Sequence, residues 1–258
     1  MTELLSSISV ARQLRQSGLF YFSPSLLADL LSLTRRQVYR LIARLEGDGL
    51  VGEVEKGKYL LLGLEPEKVL SNPLFIASHL AAPAYVSYWS ALHYYGFTEQ
   101  VPLTTFVATT QKKRPVVYRS FSFTFVTLKP AKFFGYRREE VGDLPTVVAD
   151  EAKSIVDSLD LPQHAGGMRE VTRALRAALD TVDASTLIEY ANRMANRSLG
   201  SRLGYLLEFY GRSAQGLHHS AGPVRLDPTR PRTGPTVARW QIVVNVPERE
   251  LTDMEEVG

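Results

Sequence analysis

Cysteine is absent from the 258 residues. That excludes disulfides, thiolate zinc sites, iron–sulfur clusters and a cysteine nucleophile. It fits a reducing compartment, so a cytoplasmic location is the expectation. Long apolar runs are missing too. Each apolar stretch is broken by Pro, Gly or charge well short of the ~20 residues a membrane helix needs. Met1-Thr2-Glu3-Leu4-Leu5 lacks the positive start and apolar run of a secretory signal. No membrane partner is therefore expected. Nor is there a large charge imbalance: 30 Lys and Arg stand against 27 Asp and Glu, a net +3. Bulk charge does not mark a nucleic-acid binder, and its distribution must be read instead.

What is present is ordinary globular material, 45% apolar and 22% charged, without repeats or low-complexity tracts. The length suits one large or two ordinary domains. Residues 1–64 form the first unit. Leu4, Ile8, Ala11 and Leu14 recur at helical spacing, and Gly18 ends that helix. Ser23-Pro24 opens a second helix through Leu26, Leu27 and Leu30, Ser as N-cap and Pro at the first helical position. After Leu31-Ser32-Leu33, Thr34 caps a third helix from Arg35 to about Glu46, with Val38, Leu41, Ile42 and Leu45 as its apolar stripe. Two short apolar segments follow, turning at Lys56-Gly57 as a hairpin.

Helix, helix, short turn, helix, hairpin is the order of a winged helix-turn-helix. With Val38 inward and about 100° per residue, Arg36, Arg40 and Ala43 face away from the core. Arg35, Gln37, Tyr39 and Arg44 flank them. A small residue among arginines lets a helix sit close in the major groove, where Arg can bond guanine and Gln adenine in a bidentate way. Lys56 and Lys58 at the hairpin tip would meet the DNA backbone or minor groove. The alternative is a solvated basic face that binds another protein.

Residues 65–73 read as a linker (Glu65, Pro66, Glu67, Asn72, Pro73), with a helical turn open to Lys68–Leu70. Residues 74–247 form a larger mixed unit, so the chain is α+β overall. Its expected helices are Tyr88–Tyr95, Asp150–Leu159, Arg169–Leu179, Ala184–Met194 and Arg202–Tyr210. The expected strands are Phe106–Thr109, Val116–Val117, Phe121–Leu128, Val147–Val148, Val224–Leu226 and Arg239–Val246. Residues 248–258 read as an acidic tail left disordered.

Between Glu99 and Glu139 no acidic residue occurs, while Lys112, Lys113, Arg114, Arg119, Lys129, Lys132, Arg137 and Arg138 supply eight positive charges. Tyr118, Phe133, Phe134 and Tyr136 interleave them. On adjacent strands this makes a basic surface for DNA, RNA or an acidic protein. The alternative is core phenylalanines with lysines guarding sheet edges.

Catalytic signatures are sparse. His79, His93, His218 and His219 lack metal-ligand spacing, and Gly166-Gly167 lacks a phosphate loop's setting. No metal or cofactor is implied. Asp150-Glu151-Ala152-Lys153, with Asp143 upstream, has the general layout of a magnesium-dependent nuclease guided by the winged helix. The competing reading makes Asp150 a helix cap with Glu151 on the favourable end of the dipole. Gly204 in the last helix marks a close approach of backbone or ligand, and Arg197 and Arg202 are candidates for the basic face.

Together these segments resemble the AbiEi-type antitoxins of abortive-infection toxin–antitoxin systems. The likeness runs through the N-terminal unit, Ser90-Ala91-Leu92-His93-Tyr94-Tyr95-Gly96, Phe133-Phe134-Gly135, and Val148-Ala149-Asp150-Glu151-Ala152-Lys153-Ser154-Ile155-Val156-Asp157. It continues in Arg202-Leu203-Gly204-Tyr205-Leu206-Leu207-Glu208 and the closing Arg239-Trp240 to Val244-Asn245. The resemblance implies a non-catalytic repressor that binds its own promoter as double-stranded DNA. It also implies that the larger unit antagonises a nucleotidyltransferase toxin, by direct contact or only functionally. A homodimer on inverted repeats is the arrangement that a symmetric operator would mirror.

Overall fold

A computed structural model describes residues 6–252. Leu4 and the tail beyond Thr252 lie outside the described residues.

The N-terminal segment holds α1 (Ser7–Gln16), β1 (Tyr21–Phe22), α2 (Pro24–Leu31), α3 (Arg35–Gly47), β2 (Val51–Glu55) and β3 (Lys58–Leu61). The hydroxyls of Ser6 and Ser23 accept from the backbone N–H groups of Ser9 and Leu26, satisfying donors that a helix start otherwise leaves open. Ser7, Val10, Ala11 and Leu14 are the buried face of α1. Ile8, expected in that stripe, is 47% exposed. It stands six residues from Leu14, about 120° round the helix. In α2 only Leu27 is buried. The three strands form an antiparallel sheet in the order β1-β3-β2, with Tyr21 opposite Leu60 and Glu55 opposite Lys58.

Residues 65–73, read as a linker with a helical turn open to Lys68–Leu70, hold the short α4 (Pro66–Leu70), which buries Val69 and Leu70, and α5 (Pro73–His79) starts at their end. Then come β4 (Ala84–Val86), α6 (Tyr88–Tyr94), β5 (Thr104–Thr109), β6 (Val116–Tyr118), β7 (Phe121–Thr127), β8 (Tyr136–Val141) and β9 (Leu144–Ala149). They build a six-stranded mixed sheet ordered β6-β7-β5-β4-β9-β8. Four helices follow, α7 (Glu151–Asp160), α8 (Met168–Ala178), α9 (Ala184–Arg193) and α10 (Arg197–Phe209). A small sheet of β10 (Val224–Arg225), β12 (Ile242–Val243) and β11 (Thr236–Val237) comes next. The single closing strand expected over 239–246 is broken by a 3₁₀ turn at Ala238–Trp240 and by Gln241 at φ 51°. The architecture is thus mixed α and β. The tail is not free up to Thr252: α11 (Glu248–Thr252) buries Leu251, whose carbonyl accepts from the Tyr210 hydroxyl at 2.9 Å, and Glu250 pairs with Arg230.

The larger unit is organised round Asp157 of α7. Fully buried, it pairs with the equally buried Lys153 and accepts from Tyr85 at 3.1 Å and Ser87 at 2.8 Å, tying α7 to β4. Burial pushes the Asp157 carboxyl up, against the pull of Lys153 and these hydrogen bonds. Such a pair fixes one arrangement more than it adds net stability.

The N-terminal segment rests on α5. Phe20 packs edge-on to Phe75 at 5.1 Å and to His79 at 4.8 Å. Desolvation holds His79 down to a pKa of about 4, against the hydrogen bond its Nδ1 makes with the Phe75 carbonyl at 2.8 Å.

Two outcomes follow from these contacts. Lys153→Met leaves Asp157 buried without its cation and should cost about 3–5 kcal/mol at pH 7, a fall in Tm on the order of 10 °C. The volume-matched pair Lys153→Met, Asp157→Leu should recover most of it in the same thermal melts, and an unchanged Tm in the single variant refutes the hub. For His79, an unfolded imidazole takes its proton near pH 6.5 and the folded one only near 4. Between those values the unfolded chain binds more protons, so stability falls as pH drops, by at most about 3 kcal/mol. His79→Gln should flatten the denaturation midpoint over this window, and a midpoint as steep as the parent's removes His79 as the cause.

Candidate nucleic-acid interface

α3 is divided lengthwise. Val38, Leu41, Ile42 and Leu45 are buried, while Arg35, Arg36, Gln37, Tyr39, Arg40 and Ala43 are exposed. Thr34 starts the helix with its backbone N–H and hydroxyl both donating to Gln37 Oε1, at 2.9 and 2.6 Å. Gln37 is thereby occupied as a cap. A bidentate contact with adenine needs both ends of that amide, so its expected base-reading role does not fit this geometry. Arg44 is partly buried on the flank, further in than Arg36 and Arg40.

The first turn of α3 contains no acidic residue, although two arginines stand in it. Cations at a helix N-terminus oppose the macrodipole, by about 0.3–1 kcal/mol each at exposed sites. The same placement suits an external anion, which the backbone N–H groups and the guanidinium groups attract together.

The hairpin turns where expected. Gly57 has φ 68°, and its N–H donates to Glu53 Oε1 at 2.7 Å. Lys56 and Lys58 are exposed at the tip. Tyr59, the next residue, has its hydroxyl pushed up by burial and by the nearby charges of Glu53, Glu46 and Tyr39. β2 of the hairpin packs alongside α3.

Sequence reasoning missed Glu55. Its carboxylate accepts from the Tyr21 hydroxyl and pairs with Lys113 of the larger unit, with Lys58 at 3.9 Å. Burial pushes the carboxyl up, but the Lys113 and Tyr21 hydrogen bonds and the two lysine charges outweigh it and hold it below the usual range. The Tyr21 hydroxyl is pushed well up by burial and by Glu55. The alternation Glu53-Val54-Glu55 marks an acidic strand face, but nothing local names a partner 58 positions away.

The run of eight cations does not form one surface. β6 and β8 are opposite edges of the six-stranded sheet, so Arg119 at the β6–β7 turn and Arg137 and Arg138 on β8 are four strands apart. Three of the eight are committed inside the molecule: Lys113 to Glu55, Lys132 to Asp160 at 2.7 Å, and Arg137 to Glu139 and, through two 2.9 Å bonds, Glu151. Arg119 sits over the Tyr118 ring. Lys112, Arg114, Lys129 and Arg138 are exposed. Of the interleaved aromatics, Phe134 is buried and Tyr136 stacks on Tyr85 at 5.1 Å. Arg202 leaves the basic face as well: it is buried, donating to the carbonyls of Arg225 and Leu159. Arg197 remains exposed.

The nuclease-like residues diverge. Asp150 caps α7, accepting from the Lys153 N–H and the Tyr190 hydroxyl at 2.8 Å each. Glu151 is held by Arg137, Lys153 by Asp157, and Asp143 is exposed beside Lys68 at 2.9 Å. Gly204 admits the Trp240 ring, which a β-carbon there would approach to 2.3 Å, while Trp240 Nε1 donates to Glu208 at 2.7 Å. The close approach expected at that glycine is thus made by a side chain of the same chain. Among the described residues no group of three His, Asp or Glu side chains converges as a metal cluster, and no helix is long and apolar enough to cross a membrane.

No family profile matches this sequence, and no curated protein matches it. Among solved structures it is similar to the crystal structure of RV2827C protein from Mycobacterium tuberculosis, with a TM-score of 0.54 at 14% identity. The match covers 90% of this chain and 89% of that one. At that identity the likeness is one of fold.

Proposed function

We propose that residues 7–62 are a winged helix-turn-helix that binds duplex DNA sequence-specifically, and that the protein is a non-catalytic repressor of its own promoter. The observation that carries this reading is the sidedness of α3. Four apolar residues are held dry on one face, and Arg35, Arg36 and Arg40 stand free on the other round the small Ala43. Lys56 and Lys58 on the hairpin supply cations suited to the sugar-phosphate backbone. The antitoxin part of the proposal, antagonism of a nucleotidyltransferase toxin by the larger unit, rests on the motifs shared with AbiEi-type antitoxins.

A mobility-shift titration on duplexes tiling the gene's upstream region tests the DNA reading. Arg36→Ala and Arg40→Ala should each weaken binding by about 1–3 kcal/mol where the side chain reads a base edge, and relax the preference at that base pair. Lys56→Ala should weaken all duplexes alike and lower the salt slope by about 1. A double Arg36→Ala, Arg40→Ala variant that binds as tightly as the parent would sink the assignment of α3. For the antitoxin part, co-expression with a nucleotidyltransferase encoded beside the gene should relieve that enzyme's toxicity, and unrelieved growth arrest counts against it.

A further inference from the structure

A cleft of 320 Å³ opens between the hairpin and the larger unit, lined by Tyr21, Lys58, His79, Gln111, Lys112 and Lys113 among others. It brings together cations from two distant parts of the sequence. Lys58 comes from β3, and Lys112 and Lys113 from the loop between β5 and β6. Arg114, the next residue, is exposed, as is Lys56 at the hairpin tip.

That loop is built rather than loose. Gln111 Nε2 donates to the Ala82 carbonyl at 2.8 Å, and its backbone N–H donates to Thr109 Oγ1 at 3.2 Å. Lys113 is fixed by Glu55, with its Nζ 5.6 Å from the centre of the Tyr21 ring and 5.3 Å from that of Phe125. The two acids nearby are both occupied: Glu55 holds Lys113 and Tyr21, and Glu53 holds the turn at Gly57. Five cations, Lys56, Lys58, Lys112, Lys113 and Arg114, therefore stand against two engaged carboxylates. Among the described residues Lys112 and Arg114 have no ion pair or hydrogen bond from their side chains. A concentration of positive charge in a cleft, with its acids turned to internal partners, attracts polyanions and is weakened by salt.

We propose that the loop around Lys112 and Arg114 is a second grip on duplex DNA, contacting backbone phosphates next to those met by the hairpin. The proposal rests on the DNA-binding reading of α3 and extends it to the larger unit. The chemistry recognised is the sugar-phosphate backbone: lysines and an arginine on a loop carry charge, but no element enters a groove with them. The loop accordingly adds affinity and register without adding base preference. Glu55 is the positioning residue, since it anchors the loop to the hairpin through Lys113.

The test uses the full chain and the upstream duplex that the parent binds best, titrated at several salt concentrations. Lys112→Ala, Arg114→Ala removes two exposed side chains, and an unchanged thermal melt checks that the fold is intact. The log–log salt dependence of binding should become shallower by about 1.8, near 0.9 for each phosphate no longer neutralised. The ratio of affinities for this duplex and a shuffled one should stay the same. Hydroxyl-radical footprinting should lose sugar protection at one edge of the site. A salt slope equal to the parent's overturns this inference and leaves the α3 reading standing. A parent that binds no duplex overturns both. Tighter binding of single-stranded RNA than of duplex, abolished by the same double variant, also overturns it, by assigning the loop to RNA.

Discussion

The carboxylate of Glu55 sets where the hairpin stands relative to everything else. It is a single acceptor shared by Tyr21 of β1 and Lys113 of the larger unit, with Lys58 beside it. Other contacts between the N-terminal segment and the rest are Phe20 on Phe75 of α5 and the Tyr118 hydroxyl against the bare backbone of Gly52. The burial of apolar surface at Phe20 is non-directional. A charge-assisted hydrogen bond supplies the direction it lacks. The same bond keeps one lysine of the basic loop out of solvent and leaves its neighbours exposed.

α3 shows a second constraint, a disagreement between stability and use. Arginines in a first turn oppose the helix dipole, and helix-stabilising acids are missing from that turn. The helix forms because Thr34 and Gln37 satisfy the start and four apolar residues are buried below it. Local rules broken without compensation on the spot are expected where a surface is kept for a ligand. Gln37 shows the limit of reading side chains off a helical wheel. It points outward, as its position requires, yet its amide oxygen has turned back to the cap.

Much of the fold is legible in the sequence because its signals are local. Caps at Ser23, Thr34 and Asp150, the stripe of α3, the turn at Lys56-Gly57 and the alternation in β7 all depend on neighbours a few residues away. What stays hidden depends on strand order. Eight cations within one stretch of sequence look like one surface until β6 and β8 are found at opposite edges, after which Lys132 and Arg137 turn out to be paired with α7 or its end. Ile8 departs from expectation for a smaller reason. The phase of α1 is set by Val10 and Leu14, and these leave Ile8 in solvent.

Segments 90–96, 133–135 and 148–157, far apart in sequence, pack against one another. Tyr95, from the Ser90–Gly96 segment, donates to the Ala149 carbonyl at 2.8 Å, and the Asp150 N–H donates to the Gly135 carbonyl at 2.9 Å. Gly135, at φ 68°, lies so close to Tyr190 and Lys153 that a β-carbon there would stand 2.8 Å from the former and 3.0 Å from the latter. Phe134 beside it lies under the Lys153 and Arg193 cations. Gly204, Glu208 and Trp240 lock a second joint. Each of these residues is spent on holding the larger unit together. Left in solvent instead are Arg35, Arg36 and Arg40 of α3, Lys56 of the hairpin, and Lys112 and Arg114 near it.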